Sequence, residues 1–189
     1  MKQSIRPFER IAIFIDGENF RYAAYNGFGC EVDLERFINY FANIKHNAIL
    51  LRAYYYTGEW TPDARRYFIR QRYKDLSAEE QAVKEKELEE EAKKLHNFHR
   101  AISRLGYMVI TKPIKVFAGG KIKADLDLEL AIDMLTLADR CDRQILVSGD
   151  GDFVPLVRAV GARGVRIEVV SSLETQTPDG RPLWTLLSV

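Results

Sequence analysis

The sequence predicts an α/β fold in which a mostly parallel, doubly wound sheet is covered by helices. Apolar runs of strand length recur along the chain, as at Ile11–Ile15 and within Gln144–Ser148, and such runs are typical of strands buried on both faces. Segments with helical spacing of apolar residues separate these runs. Strands and helices therefore alternate along the chain, which is the order expected of a parallel sheet with helical crossovers.

The first predicted strand, Ile11–Ile15, ends in Asp16-Gly17, and a glycine-rich loop follows. Asp33 is placed to cap a helix whose apolar residues recur at helical spacing as far as Phe41. Ala48–Tyr56 is a second apolar run of strand length. Together these elements predict the beginning of a βαβ unit.

Residues 61 to 105 are predicted to form a long helical insertion. Its first part, Thr61–Lys74, interleaves arginines with tyrosines and predicts a helix with one basic face. Ser77 and Glu80 then form a capping-box pattern that opens a longer helix with an apolar stripe.

The second half of the chain predicts further strands and helices. Tyr107–Thr111 is a strand, and Gly119-Gly120 marks a hairpin turn that places Lys121 and Lys123 on one face. The remaining predicted elements are a helix at Leu128–Ala138, a strand at Gln144–Ser148, a helix at Phe153–Gly161 with Pro155 in its first turn, and a strand at Val165–Val170. The tail, residues 171 to 189, is predicted as a loop closed by apolar Leu183–Leu187 that docks back on the domain.

Composition places the chain among ordinary globular proteins. Its 189 residues, 47% of them hydrophobic and 29% charged, predict one domain spanning residues 1 to 189. The net charge of +1 provides no global argument for a nucleic-acid partner, so any such partner must be argued locally. There is no signal-like or membrane-length apolar segment, and Cys30 and Cys141 lack metal-ligand spacing. We therefore expect a cytoplasmic protein with reduced thiols and no membrane partner.

Carboxylates at strand ends are the best functional signal in the sequence. Asp16 ends the first strand, and Asp150 and Asp152 follow the strand Gln144–Ser148. In open α/β sheets, sites form outside the carboxyl ends of the strands. Carboxylates gathered there repel one another unless a cation lies between them, and oxygen ligands favour Mg²⁺ or Mn²⁺. Such an ion activates water and stabilises charge on a phosphate.

Each of these residues also has a purely structural interpretation. Asp16 could end a strand and bind backbone N–H groups of the following turn, and Asp150 is in a similar position. Asp152 precedes a helix as an N-cap would, and Asp127 could cap the helix beginning at Leu128, with Asp125 competing for the same role. Asp133 lies in mid-helix and could reach the site or face solvent. Asn19 could cap a short helical turn or position a water or a phosphate, and Ser148 has the same two interpretations at its own turn.

The segments IFIDGENF, KADLDLELAIDML and ILVSGDGDFVPLVRAVGARG resemble the NYN family, and within it the LabA-like branch of the PIN-like nucleases. The SGDGDF segment is highly specific, whereas residues 57 to 106 match only loosely. The resemblance implies a three-layer α/β/α sandwich, a Mg²⁺ or Mn²⁺ site and hydrolysis of RNA phosphodiester bonds, for which metal-activated water is the expected nucleophile. DNA is kept as a second partner class. It assigns the catalytic and metal-binding roles to four aspartates, Asp16, Asp127, Asp150 and Asp152.

The resemblance also favours Asp127 over Asp125, because the family pattern has an Asp six residues before the helical Asp that Asp133 matches. One departure is Ala124 where the family has a lysine, with Lys123 displaced by one position. The candidates for substrate contact are Asn19, Ser148, Lys121, Lys123, Arg65 and Arg66, since amides and hydroxyls position phosphates and basic residues neutralise them. A basic surface helix without a partner is the alternative interpretation of the two arginines.

Other functions remain as alternatives at this level. A non-catalytic PIN-like module that binds RNA or protein would keep the same sheet. A haloacid-dehalogenase-type phosphatase is disfavoured because Asp16 is followed by Gly17-Glu18 rather than by an Asp two residues on.

His96 and His99 lie one helical turn apart without a visible third metal ligand, so a metal site at this pair is disfavoured. The oligomeric state is left open, a homo-oligomer included.

Overall fold

A computed structural model describes residues 8–24, 32–43, 47–176 and 182–188, with side chains described as far as residue 171. Its centre is a six-stranded sheet whose first five strands in spatial order are parallel and whose last is antiparallel. In that order the strands are β3 (Tyr107–Pro113), β2 (Ala48–Glu59), β1 (Glu9–Asp16), β6 (Arg143–Val147), β7 (Arg166–Gln176) and β8 (Pro182–Ser188). The mostly parallel sheet predicted from the alternating pattern is confirmed.

Helices cover both faces of this sheet. They are α1 (Gly17–Tyr22), α2 (Leu34–Phe41), α3 (Pro62–Arg72), α4 (Ala78–Arg104), α5 (Asp127–Leu137) and α6 (Val154–Gly161). Successive side chains of a strand point to opposite faces, so β1 sends Phe14 into one core with residues of α5 and α6, and Ile13 and Ile15 into another with residues of α1, α2 and α4. The result is the predicted three-layer sandwich.

Strand β1 lies in the middle of the sheet, and Ile11–Ile15 are all fully buried. The chain leaves β1 toward β2 and β3 on one side and later returns to β6 and β7 on the other. The order of strands therefore reverses between β1 and β6. In doubly wound sheets, the crevice at the carboxyl end of such a reversal is where ligands bind. Asp16 is the last residue of β1 at this crevice.

The region predicted as a helical insertion contains α3 and α4. Thr61 caps α3, with Pro62 at its first position, and Ser77 and Glu80 form the predicted capping box of α4 with N···O distances of 2.9 and 3.2 Å. Helix α4 ends before Gly106, which has a φ of 97° that favours glycine.

The predicted hairpin at Gly119-Gly120 is also present. Strands β4 (Lys115–Val116) and β5 (Ile122–Lys123) pair antiparallel across the two glycines, which have φ values of 78° and 77°. The turn lies against α3, where the Gly119 N–H donates to Gln71 Oε1 at 3.3 Å.

Two local predictions were only partly right. The segment after β1 was predicted as a glycine-rich loop, with a short helical turn at Asn19 as one interpretation. Its start is the helix α1, which the Asp16 carboxylate caps by accepting from the Asn19 N–H, and its glycine-rich part at 25 to 31 lies outside the described residues. The apolar end of the tail docks back on the domain as predicted, but as strand β8, which pairs antiparallel with β7. The turn residues of that tail at 177 to 181 lie outside the described residues.

Cys141 is a buried free thiol, whereas Cys30 lies outside the described residues. Within the part of the chain that the structure describes, no helix is long and apolar enough to cross a membrane.

Candidate active site

A cavity of about 180 Å³ lies at the carboxyl edge of the sheet beside the reversal of strand order. We call it the acid cavity, because four of its residues carry carboxylates. Its lining comprises Asp16, Glu18, Asn19, Tyr56, Ala124, Leu126, Asp127, Leu130 and Asp150. Three of the four aspartates predicted from the sequence are thus brought together by three different segments of the chain.

Asp16 is the most constrained of these acids. Its Oδ1 accepts from the Asn19 N–H at 3.2 Å, and its Oδ2 accepts from the Ser148 hydroxyl at 3.0 Å. Burial raises the pKa of Asp16, the two hydrogen bonds oppose that shift, and the charges of Glu18 and Asp150 add to it. The carboxylate is therefore held in one orientation in a place that disfavours its charge.

The turn after β6 is tied to the same group. Ser148 Oγ accepts from the Asp150 N–H at 3.1 Å, and Asn19 Oδ1 accepts from the Gly149 N–H at 3.1 Å. A Cβ on Gly149 would lie 2.9 Å from Ser171 Oγ and 3.2 Å from Asn19 Oδ1, so a larger residue here would push on the Asn19 side chain that accepts from the Gly149 N–H. Asn19 and Ser148 thus join the end of β1 to the turn that carries Asp150.

Asp127 is the first residue of α5 and lines the acid cavity. Burial raises its pKa, and the charges of Asp125, Asp16 and Asp150 raise it further, against a smaller opposing effect of Lys123. Leu126 occupies the N-cap position, so Asp127 is not the helix cap that the sequence left open. The charges of the three aspartates therefore act on one another across the cavity.

Asp125 has a different environment. It is exposed and pairs with Lys123 at 2.5 Å, and this hydrogen bond lowers its pKa, as does one from the Asp127 N–H. It does not line the acid cavity. Of these two residues, Asp127 lines the acid cavity and Asp125 does not, and the choice of Asp127 as metal ligand stays a prediction.

Glu18 is a lining residue that the sequence reasoning missed. It lies in the first turn of α1, and its Oε1 accepts from the buried Thr57 hydroxyl at 3.2 Å. Its signal in the sequence is its position two residues after the strand-end Asp16. Asp133 is outside the lining, but its Oδ2 accepts from the Tyr56 hydroxyl at 2.8 Å and so fixes a residue that lines the cavity.

The other predicted site residues lie elsewhere. Asp152 is exposed, is absent from the lining, and contacts Asp150 through its backbone N–H at 2.8 Å. Lys121 follows the exposed hairpin turn, and Lys123 is paired with Asp125. Arg66 pairs with Asp63 at 2.6 Å, and Arg65 lines a different cavity. The roles assigned to these residues stay predictions.

The ligand atoms that the acid cavity offers fit a hard divalent cation, since its charged groups are all carboxylates. The charges of Asp16 and Asp150 raise the pKa of Asp127, and the charge of Asp150 raises that of Asp16; this is the repulsion that a cation would relieve. Among the described residues, however, no three His, Cys, Asp or Glu side chains are close enough together to form a complete metal site. An ion would have to draw the acids inward, with water completing its coordination, as is common for Mg²⁺.

Comparison with known proteins places the chain in a family. The sequence is 34% identical over 175 residues to the low amplitude and bright protein LabA of Synechococcus elongatus, covering 89% of this chain and 76% of LabA. A crystal structure of a protein of unknown function from Vibrio parahaemolyticus has a TM-score of 0.61 at 24% identity, covering 89% of this chain and 83% of that one, and shows the same fold.

Similarity to a bacteriophage T5 flap endonuclease in complex with DNA and metal ions is weaker. The TM-score is 0.39 at 15% identity, covering 86% of this chain and 55% of that one, which is too low to bear on function. The sequence profile of the NYN domain matches residues 10–180. This match and the similarity to LabA confirm the resemblance found in the sequence motifs: the chain belongs to the NYN domain family.

Proposed function

We propose that this chain is a metal-dependent nuclease that hydrolyses RNA phosphodiester bonds in the acid cavity. The observation that carries the proposal is the convergence of Asp16, Asp127 and Asp150 from three segments at the reversal of strand order. Membership of the NYN family supports it. RNA is proposed as substrate rather than DNA because the sequence motifs resemble RNA-cleaving relatives.

The cofactor of this proposal is Mg²⁺ or Mn²⁺, held by Asp16, Asp127 and Asp150. Such an ion lowers the pKa of water and neutralises charge on a phosphate. Without a cation, the acids would repel the phosphate of the substrate. Glu18 is the fourth carboxylate available on the same wall.

The protein groups contribute orientation. Ser148 and the Asn19 N–H hold both oxygens of Asp16 in place. The side-chain carbonyl of Asn19 accepts from the Gly149 N–H, so its amide nitrogen is the group that can donate to a phosphate oxygen. A bound cation would offset the burial and the neighbouring charges that raise the pKa of Asp16 and Asp127, and so would favour both as charged ligands.

A cleavage assay with a matched pair of variants tests the proposal. Purified protein is incubated with Mn²⁺ and labelled single-stranded, structured and duplex RNA and DNA. Asp127→Asn should lower the rate by about 100-fold, equivalent to about 2.7 kcal/mol of transition-state stabilisation. Asp125→Asn removes the same charge two residues away, outside the cavity, and should cleave like the wild type. No cleavage by the wild type, or equal loss in both variants, would contradict the proposal.

A second candidate function is a non-catalytic module that binds RNA or protein. The observation in its favour is that, among the described residues, the acids are not gathered into a complete metal site. This candidate predicts RNA binding without cleavage and no calorimetric heat on titration with Mn²⁺, whereas the nuclease proposal predicts both cleavage and metal binding.

A further inference from the structure

A second and larger cavity, of about 460 Å³, lies on the other side of β2. We call it the α4 cavity, because most of its wall is one face of that helix, from Glu89 to His99. Glu59 and Trp60 at the end of β2 and Arg65 of α3 complete the wall. Its volume is within the range of pockets that bind organic ligands rather than single ions.

Two polar side chains of this wall each carry a buried nitrogen without a hydrogen-bond partner among the described residues. His99 is 7% exposed, and its Nε2 is buried without a hydrogen-bond partner among the described residues. Arg65 Nε is likewise buried and unpartnered in the described part of the chain, although its Nη1 donates to the Trp60 carbonyl at 3.4 Å. Buried polar atoms without partners are costly, and the two side chains that carry these atoms both line the α4 cavity.

The charges in the α4 cavity are balanced. The Lys93 ammonium pairs with Glu89 at 3.1 Å and with Glu90 at 3.0 Å. The lining also contains one further acidic residue, Glu59, and one further basic residue, Arg65. Burial lowers the pKa of His99, which favours its neutral form. The interior therefore suits a neutral polar group better than a phosphate.

The shape of the wall adds a second constraint. The indole of Trp60 and the guanidinium of Arg65 are planar groups of the kind on which bases stack, and Asn97 can both donate and accept. A heteroaromatic ring with nitrogen and oxygen acceptors matches these groups. A nucleobase is such a ring.

The α4 cavity is close to the acid cavity. Tyr56 lines the acid cavity and Glu59 lines the α4 cavity, three residues further along β2, which is about 10 Å at the rise of a strand. Thr57, between them, donates to Glu18 at 3.2 Å, and Glu18 lines the acid cavity. A nucleic-acid strand whose phosphate lies at the carboxylates of the acid cavity can therefore pass the end of β2 and place a nearby base in the α4 cavity.

We infer that the α4 cavity is a subsite that binds one unpaired nucleobase of the nucleic-acid strand, close to the phosphate being cleaved. This inference rests on the proposed nuclease function and adds to it a requirement for a single-stranded segment. Arg65 donates to the base, Trp60 provides a stacking surface, and His99 and Asn97 provide the remaining polar contacts.

An abasic scan tests the subsite directly. A labelled single-stranded RNA is prepared with the base removed at each position in turn, and its affinity is measured by fluorescence anisotropy. The protein carries Asp150→Asn so that the RNA is not cleaved. Loss of one particular base should weaken binding by about tenfold, the effect of one stacked base, and loss of the others should have smaller effects.

Variants then place that base in the cavity. Ala92→Phe fills the cavity and should abolish the dependence on that one base, whereas Ala82→Phe, at an exposed site on the same helix, should keep it. Arg65→Gln should reduce the dependence, and Arg66→Gln, which removes the same charge outside the cavity, should not. The arginine pair keeps the test decisive if Ala92→Phe does not fold.

Cleavage of the same RNA by the wild type is measured separately. If the RNA is bound and cleaved but no single base matters, or if the dependence survives in Ala92→Phe and Arg65→Gln, the subsite is refuted while the nuclease function stands. If the wild type neither binds nor cleaves RNA, the proposed function fails, and the subsite fails with it.

Discussion

Ser148 is the residue whose replacement tests the organisation of the acid cavity most closely. It is 4% exposed, and its hydroxyl donates to Asp16 Oδ2 at 3.0 Å while accepting from the Asp150 N–H at 3.1 Å. Ser148→Ala removes both contacts and adds no bulk. The two aspartates would then lose the one hydroxyl group that joins the end of β1 to the turn after β6.

The size of the effect follows from these contacts. A hydrogen bond to a charged group contributes about 2 kcal/mol, and Asp150, being exposed, can offer its N–H to water instead. We therefore expect Ser148→Ala to lower the free energy of unfolding by about 2 kcal/mol, or about 4 to 8 °C in Tm for a chain of this length. Because this hydrogen bond opposes the raised pKa of Asp16, its loss should raise that pKa further.

Thermal unfolding and the pH profile of cleavage measure these effects. Because Ser148 positions Asp16, Ser148→Ala should lower the cleavage rate by about 10- to 100-fold. The acid limb of the pH profile should move to higher pH as the pKa of Asp16 rises. Ser103→Ala, at an exposed position of α4, is the control and should change neither quantity. If Ser148→Ala melted and cleaved like the wild type, with the acid limb unmoved, the account of Asp16 would be wrong.

Three further predictions concern the surroundings of the acids. Gly17→Ala places a Cβ 2.5 Å from the Tyr56 carbonyl oxygen and should lower the free energy of unfolding, measured in urea, by about 1–3 kcal/mol. A Cβ at Gly161 meets nothing within 4 Å, so Gly161→Ala should not destabilise the protein. Equal free energies of unfolding for the two variants would refute the clash. The pKa of Asp127 is raised in the folded protein. Its side chain therefore stabilises the fold fully at a pH below the ordinary pKa of Asp, and this stabilisation is lost as the pH rises through the pKa of Asp127 in the folded protein. In EDTA, Asp127→Asn should therefore gain stability over the wild type from about pH 4 to 7, and parallel stability curves would contradict this. Tyr56→Phe removes the donor to Asp133 and should lower the free energy of unfolding by about 2 kcal/mol, an effect that should vanish when Asp133 is already replaced by Leu.

The fold was largely predictable because its signals are local. The apolar run Ile11–Ile15 is buried on both faces as its composition predicts, and the capping box at Ser77 and Glu80 forms as expected. Helix α1 was predicted only as an alternative, a short helical turn at Asn19, because it begins with a glycine, a poor helix former, and depends on a cap supplied by a strand residue. Strand β8 was missed because its pairing depends on an edge of β7 that no local pattern describes.

The site was predictable where it depends on strand ends. Asp16 and Asp150 follow parallel strands whose carboxyl ends meet at one edge, so their proximity follows from the topology. Glu18 could not be assigned in the same way, because its place in the lining depends on the direction of the first turn of α1. Asp152 could not be separated from Asp150 by position alone, since a tight turn decides which of the two side chains faces the cavity.

A crystal structure of the protein grown with Mn²⁺, with the ion located by its anomalous scattering, shows whether the acid cavity is a metal site. We expect a Mn²⁺ peak in the acid cavity, coordinated by Asp16 and by at least one of Asp127 and Asp150, with Asp125 still paired with Lys123. An empty acid cavity at a Mn²⁺ concentration that saturates cleavage, or ions bound only elsewhere, would contradict it.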